Sequence, residues 1–184
     1  MKILESIKQD EVWEHWFKIE KPKEYKKIID NGDNTELKKE IRCWRCDIKS
    51  LLPTNIKWSK AKLENNDIEK IFIISSSDWR LDKLCIPDYK LTSAIINYRK
   101  KFSTAGKFKN IHEKENLFLS SPNVLDTKLI FISEKISGLF TIIEGNKRAV
   151  ALGKLDKMKG LEIFLGISPE IKDSTWARYS YNIK

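Results

Sequence analysis

"FTIIEGNKRAVAL", residues 140–152, passes from one periodicity to another across a single dipeptide. Phe140, Ile142 and Ile143 read as a buried strand, Glu144-Gly145 breaks it, and Ala149, Val150, Ala151 and Leu152 form a short apolar helix starting at Gly145 or Asn146. On the N-terminal side, "DTKLIFIS" (126–133) is a second strand, joined through the Ser137-Gly138 turn; on the C-terminal side, "GLEIFLGIS" (160–168) is a third, closed by Pro169. Strand, turn, strand, helix, strand is the order of an α/β or α+β domain, a mixed sheet with flanking helices.

The break also poses a chemical question. Helix N-termini carry partial positive charge, so Lys147 and Arg148 in a first turn are disfavoured unless an anion sits with them. Gly145 allows close backbone approach or a positive φ, Asn146 has the chemistry to cap the helix or bond a ligand, and Lys147 and Arg148 supply charge-assisted bonds. Together they describe a phosphate cradle. The competing reading is an ordinary strand-to-helix junction with Arg148 salt-bridged to a surface acid.

A strand ending in an acid, then Gly, two residues, Arg and Ala opening a helix, is similar to the nucleotide-binding box of the ParB and sulfiredoxin superfamily, which includes free-serine kinases. The resemblance implies a ParB/sulfiredoxin-like fold in which Gly145 is the box glycine, Arg148 its arginine, Ala149 the small residue after it, and Lys147 matches the first arginine of the ParB-type Gly-Glu-Arg-Arg. It implies binding of ATP, ADP or CTP phosphates, with Mg²⁺ accompanying a nucleoside di- or triphosphate. Sulfiredoxin's box cysteine is replaced by Asn146-Lys147, and only 32 residues follow Leu152, which leaves no room for a partition-type helix-turn-helix. What remains is nucleotide binding, extended to phosphoryl transfer or hydrolysis if Glu144 serves as catalytic base or magnesium ligand.

Elsewhere the chain offers weaker signals. Ile3, Leu4, Ile7, Val12, Trp13, Trp16 and Phe17 recur at helical spacing, predicting an amphipathic helix over 3–18 whose aromatic end either packs on the sheet or binds a protein partner. With "KPKEYKKIIDNGDN" (21–34) it forms an expected N-terminal helical extension, residues 1–35, ahead of the main domain, residues 36–184. "KKEIRCWRCDIKSL" (38–51) reads as a first strand ended by Pro53-Thr54-Asn55. "LENNDIEKIFIISSSDW" (63–79) reads as polar helix or loop followed by the buried strand Ile71 to Ile74, and Ser77 and Asp78 beyond it are N-cap residues or a second functional loop. "KLTSAIINYRKKF" (90–102) is a helix with Leu91, Ile95, Ile96 and Phe102 inward, and "STAGKFKNIHEKEN" (103–116) a loop.

The net charge of +9, from 35 Lys and Arg against 26 acids, favours polyanionic partners. The densest basic stretch, "RKKFSTAGKFKN" (99–110), places Arg99, Lys100, Lys101, Lys107 and Lys109 as candidate nucleic-acid contacts, with Trp176, Tyr179 and Tyr181 as aromatic platforms. A non-catalytic DNA- or RNA-binding protein is therefore the rival function, and a small interaction module using Trp13, Trp16 and Phe17 a third. The Cys-x-x-Cys of Cys43 and Cys46, with Cys85 and His112, has the residue types of a zinc site. On a strand those two sulfurs face opposite ways, so no zinc is expected and ordinary packing is the reading. Without a signal-like N-terminus, a membrane-length apolar run or dense cysteines, the sequence points to a cytoplasmic chain with reduced thiols and no membrane partner.

Overall fold

The computed structural model describes residues 1–74, 79, 84–85, 88–100, 106–121 and 128–173. Six strands, β1 (Lys2–Ser6), β2 (Lys57–Lys62), β3 (Ile71–Ile73), β4 (Leu129–Ser133), β5 (Phe140–Glu144) and β6 (Glu162–Ile167), form one mixed sheet in the order β1-β2-β6-β4-β5-β3. β4 runs parallel to β6 and β3 parallel to β5, while the other neighbours are antiparallel. The helices whose bounds lie among the described residues are α1 (Gln9–Glu20), α2 (Pro22–Asp30), α3 (Asn34–Cys43), α4 (Cys46–Lys49), α5 (Leu91–Lys100), α6 (Gly106–Ser120) and α7 (Asn146–Lys154). The mixed α/β class and the strand-turn-strand-helix-strand order of the last third agree with the sequence reading.

Period-2 alternation divides the strand side chains between two cores. Leu129, Phe131, Phe140, Ile142, Ile163 and Leu165 face α5, α6 and α7; Ile130, Ile132, Ile143 and Phe164 face α1 and α3. Helices therefore cover both faces, which is why β4 and β5 read as continuous apolar runs. None of the helices among the described residues is long and apolar enough to cross a membrane.

Three segments differ from the sequence reading. Residues 2–6, expected to begin the first helix, are the edge strand β1, paired with β2 from Lys2↔Lys62 to Ser6↔Ser59, and α1 starts only at Gln9. Residues 38–51, expected as a strand, are the end of α3 and all of α4. Asp33 caps α3 by accepting the Glu36 N–H at 2.8 Å, and Leu37 and Ile41, four apart, turn inward on one helical face. The central strand that the sequence reading passed over is β2, "KWSKAK", flanked by β1 and β6.

A further difference is α6, which occupies most of the expected loop 103–116. Phe108, Ile111 and Phe118 mark its buried face, and the position between them is filled by Glu115. That carboxylate accepts from the Tyr98 hydroxyl at 3.0 Å and the Lys154 ammonium at 2.5 Å, tying α5, α6 and α7 together. Burial opposes its ionisation, but Lys154, Tyr98 and His112 outweigh that and hold the carboxyl below its usual range. In α5, Leu91 and Ile95 are inward as expected, whereas Ile96 is exposed.

The first 35 residues share a core with the sheet. Val12, Trp13, Trp16 and Phe17 of α1 are buried in the cluster that contains Trp58, Ile130, Ile132 and Phe164. These aromatics pack edge to face, Trp13 on Trp58 at 5.3 Å and Trp16 on Trp44 at 5.4 Å between ring centroids.

Candidate functional site

β3 and β5 run parallel, so their carboxyl ends lie side by side, the place where open α/β sheets commonly hold ligands. β5 ends at Glu144. Gly145 follows at φ 90°, the left-handed region that glycine enters without strain, and occupies the N-cap position of α7. Space demands glycine as well: a Cβ there would stand 2.4 Å from Leu129 Cδ2 and 3.1 Å from an Arg148 guanidinium nitrogen. Ala149 N–H donating to Gly145 C=O at 2.8 Å then opens the helix.

The predicted residues 144–148 are thus together in one turn, with roles that differ from residue to residue. Asn146 neither caps its own helix nor points outward; its Oδ1 accepts the Ile74 N–H at 3.1 Å, fastening the end of β3 to the start of α7. Arg148 reaches back one helical turn to pair with the Glu144 carboxylate, and the two side chains are only 7% and 11% exposed. Lys147 lies half-buried beside them, and the first turn of α7 carries no acid. The competing reading is met only in part: Arg148 is salt-bridged, but to the nearly buried Glu144 and not to a surface acid.

Burial pushes the Glu144 carboxyl above its ordinary value. Arg148 pulls it down, Glu20 adds to the rise and His15 opposes it. His15 and Glu20 both belong to α1, so that helix contributes electrostatically to the turn, a contribution not visible in the sequence. His15 lies with its ring edge-on to Phe164, centroids 4.8 Å apart, and its Nε2 3.4 Å from the Lys128 carbonyl; Glu20 accepts the Trp16 indole N–H at 2.9 Å. A lone histidine beside a tryptophan on an amphipathic helix gave no signal of this proximity.

Ser77 and Asp78 lie outside the described residues, as do Lys101, Trp176, Tyr179 and Tyr181. The remaining cations of 99–110 differ in their surroundings. The Arg99 guanidinium donates to the Lys154 carbonyl at 3.0 Å and reaches Asp156 at 3.4 Å, closing the C-terminus of α7. Lys107 is buried with its ammonium 5.0 Å from the centre of the Trp79 ring, whereas Lys100 and Lys109 are exposed. Among the described residues no cluster of three or more His, Cys, Asp or Glu is placed to hold a metal ion.

A groove of about 630 Å³ opens at the far end of the sheet, beyond the carboxyl ends of β4 and β6, lined by Asn55, Lys57, Lys135, Ile136 and Pro169 among others. It is separated from Glu144 by the length of β4, whose first half pairs with Glu144 and whose last residue pairs with Ile167. No protein-family model, curated protein or solved structure matches this chain.

Proposed function

We propose that the chain binds the phosphates of a nucleoside di- or triphosphate at the β5–α7 turn, within a ParB/sulfiredoxin-like arrangement of sheet and helices. The observation that carries this reading is the first turn of α7: a glycine at φ 90°, then Lys147 and Arg148 and no acid, at the carboxyl ends of two parallel strands. In this proposal Gly145 lets phosphate approach the backbone, the amides at the head of α7 and Lys147 bind it, and Asn146 and the Glu144–Arg148 pair hold the turn in shape. A triphosphate would arrive as its Mg²⁺ complex. Toward an acceptor hydroxyl or a water, Glu144 would be the base, because it is the carboxylate at the head of this turn and burial raises its carboxyl above the ordinary value.

The test is thermal unfolding of wild type and Lys147→Ala with ATP, ADP, CTP and GTP, each with and without Mg²⁺. Lys147 is preferred to Arg148 because removing Arg148 would take away the Glu144 carboxylate's ion-pair partner and confound binding with stability. A nucleotide at 100 times its dissociation constant stabilises by about 2.7 kcal/mol, or roughly 5–10 °C for a chain of this size. A shift with one nucleotide that disappears in Lys147→Ala is the expected result. No shift with any nucleotide, or a shift unchanged in the variant, refutes the assignment.

A further inference from the structure

The Cys-x-x-Cys segment does not lie on a strand, so the argument that its sulfurs face opposite ways fails. Cys43 ends α3 and Cys46 begins α4; between them Trp44 has φ −70°, ψ 133° and Arg45 has φ 54°, ψ 32°. Those angles are a type II turn, with Cys43 in its first position and Cys46 in its fourth. Such a turn holds its end Cα atoms within about 7 Å, and disulfides span about 4.4–6.8 Å between Cα atoms. The third position normally belongs to glycine, and here an arginine occupies the left-handed region.

Both thiols are exposed, whereas Cys85 is buried in the core. The Lys49 ammonium interacts electrostatically with both sulfurs and lies 5.4 Å and 5.5 Å from the Trp13 and Trp44 ring centres. Burial lowers its affinity for a proton, and the two sulfurs pull in the opposite direction. The Cys46 sulfhydryl donates to the carbonyls of Cys43 and Arg42, at 2.6 Å and 3.0 Å, so its sulfur is turned back toward the residue it would join.

We infer that Cys43 and Cys46 form a dithiol site that reacts with a small disulfide co-substrate and closes into an intrachain disulfide. The Cys43 thiolate attacks one sulfur of the co-substrate, whose S–S bond breaks and whose other half leaves as a thiolate that takes up a proton. Cys46 then loses its proton to water and attacks the Cys43 sulfur of the mixed disulfide, releasing the second thiol. One external disulfide is reduced to two thiols while two protein thiols are oxidised to one disulfide.

The experiment equilibrates the folded full-length chain with glutathione and glutathione disulfide over a series of ratios, alkylates the remaining thiols after acid quenching and unfolding, and reads the products by mass spectrometry with peptide mapping. Wild type is expected to accumulate a species lacking two hydrogens, with Cys43 joined to Cys46 and only Cys85 alkylated. Cys43→Ser and Cys46→Ser are expected to stop at the mixed disulfide with glutathione or remain reduced. Three alkylated thiols at every ratio, a wild type that stops at the mixed disulfide, or a bridge that includes Cys85 would overturn the inference. The wild-type result decides the matter alone, so a failure of either serine variant to fold does not weaken the test.

Discussion

Arg148→Met should unfold the protein more easily at neutral pH than at mildly acidic pH, and the reason is the company Glu144 keeps. The two side chains form a buried pair with little solvent on either. Breaking such a pair by deleting one partner costs about 3–5 kcal/mol, because the surviving charge has lost water as well as its counterion. Against a typical stability of about 5–15 kcal/mol, that is a large fraction, corresponding to a fall in Tm of roughly 6–20 °C for a chain of this length.

The two single variants differ in how they escape. Burial already raises the folded-state carboxyl above its unfolded value, and losing Arg148 raises it further. A raised carboxyl binds its proton more tightly in the folded state, so its contribution to stability is fully present below the unfolded pKa and lost as pH rises through the folded one. The cost of Arg148→Met should therefore be larger at neutral pH and shrink at mildly acidic pH, in the direction in which Glu144 takes up a proton. Glu144→Leu leaves a guanidinium that cannot neutralise, so its cost should persist across the same range.

The double variant Glu144→Leu/Arg148→Met removes both charges and should recover most of the loss. Urea unfolding followed by tryptophan fluorescence, at both pH values and for all four members of the cycle, reads these quantities. Additive single costs in the double variant, or an Arg148→Met defect that does not change with pH, would refute the buried-pair argument.

Two further outcomes test the neighbouring structure. Gly145→Ala forces a side chain into the left-handed region and against Leu129, and should cost at least about 1–2 kcal/mol in chemical denaturation; a neutral effect would mean the turn does not have this shape. Thr141 is buried in β5 with no hydrogen-bond partner for its hydroxyl among the described residues, so Thr141→Val should be neutral or raise the denaturation midpoint, and a loss above about 1 kcal/mol would show that the hydroxyl is bonded.

The part of the fold legible in the sequence is the part in which side-chain periodicity is least interrupted by polar residues. β4, β5, α7 and β6 are apolar where they are buried except at Ser133, Thr141 and Arg148, and the strand-helix break at Glu144-Gly145 is punctuated by the glycine the backbone needs. α6 was not legible because Glu115 stands in its apolar stripe, compensated by Tyr98 and Lys154 from helices distant in sequence. β2 was not legible because Lys57, Ser59, Lys60 and Lys62 outnumber Trp58 and Ala61; its place in the sheet comes from the two strands that flank it. The 38–51 misreading has a local remedy. Asp33 and Glu36 stand three apart, the spacing of a helix start, and Leu37 and Ile41 stand four apart.

The candidate site divides along the same line. Residues 144–148 are contiguous, so the sequence placed them together, and the pairing of Arg148 with an acid was one of its two readings. The identity of that acid does not follow from helical spacing, because Glu144 ends β5 and the left-handed Gly145 between it and α7 decides that Arg148 meets it. What Asn146 holds, and which residues of α1 modulate Glu144, depend on contacts across 72 positions in one case and more than 120 in the other, for which local pattern carries no information. Cys43 and Cys46 show the reverse failure. Their spacing was read correctly, but the conclusion drawn from it depended on the backbone between them, and one left-handed arginine changes that backbone from a strand that separates two thiols into a turn that joins them.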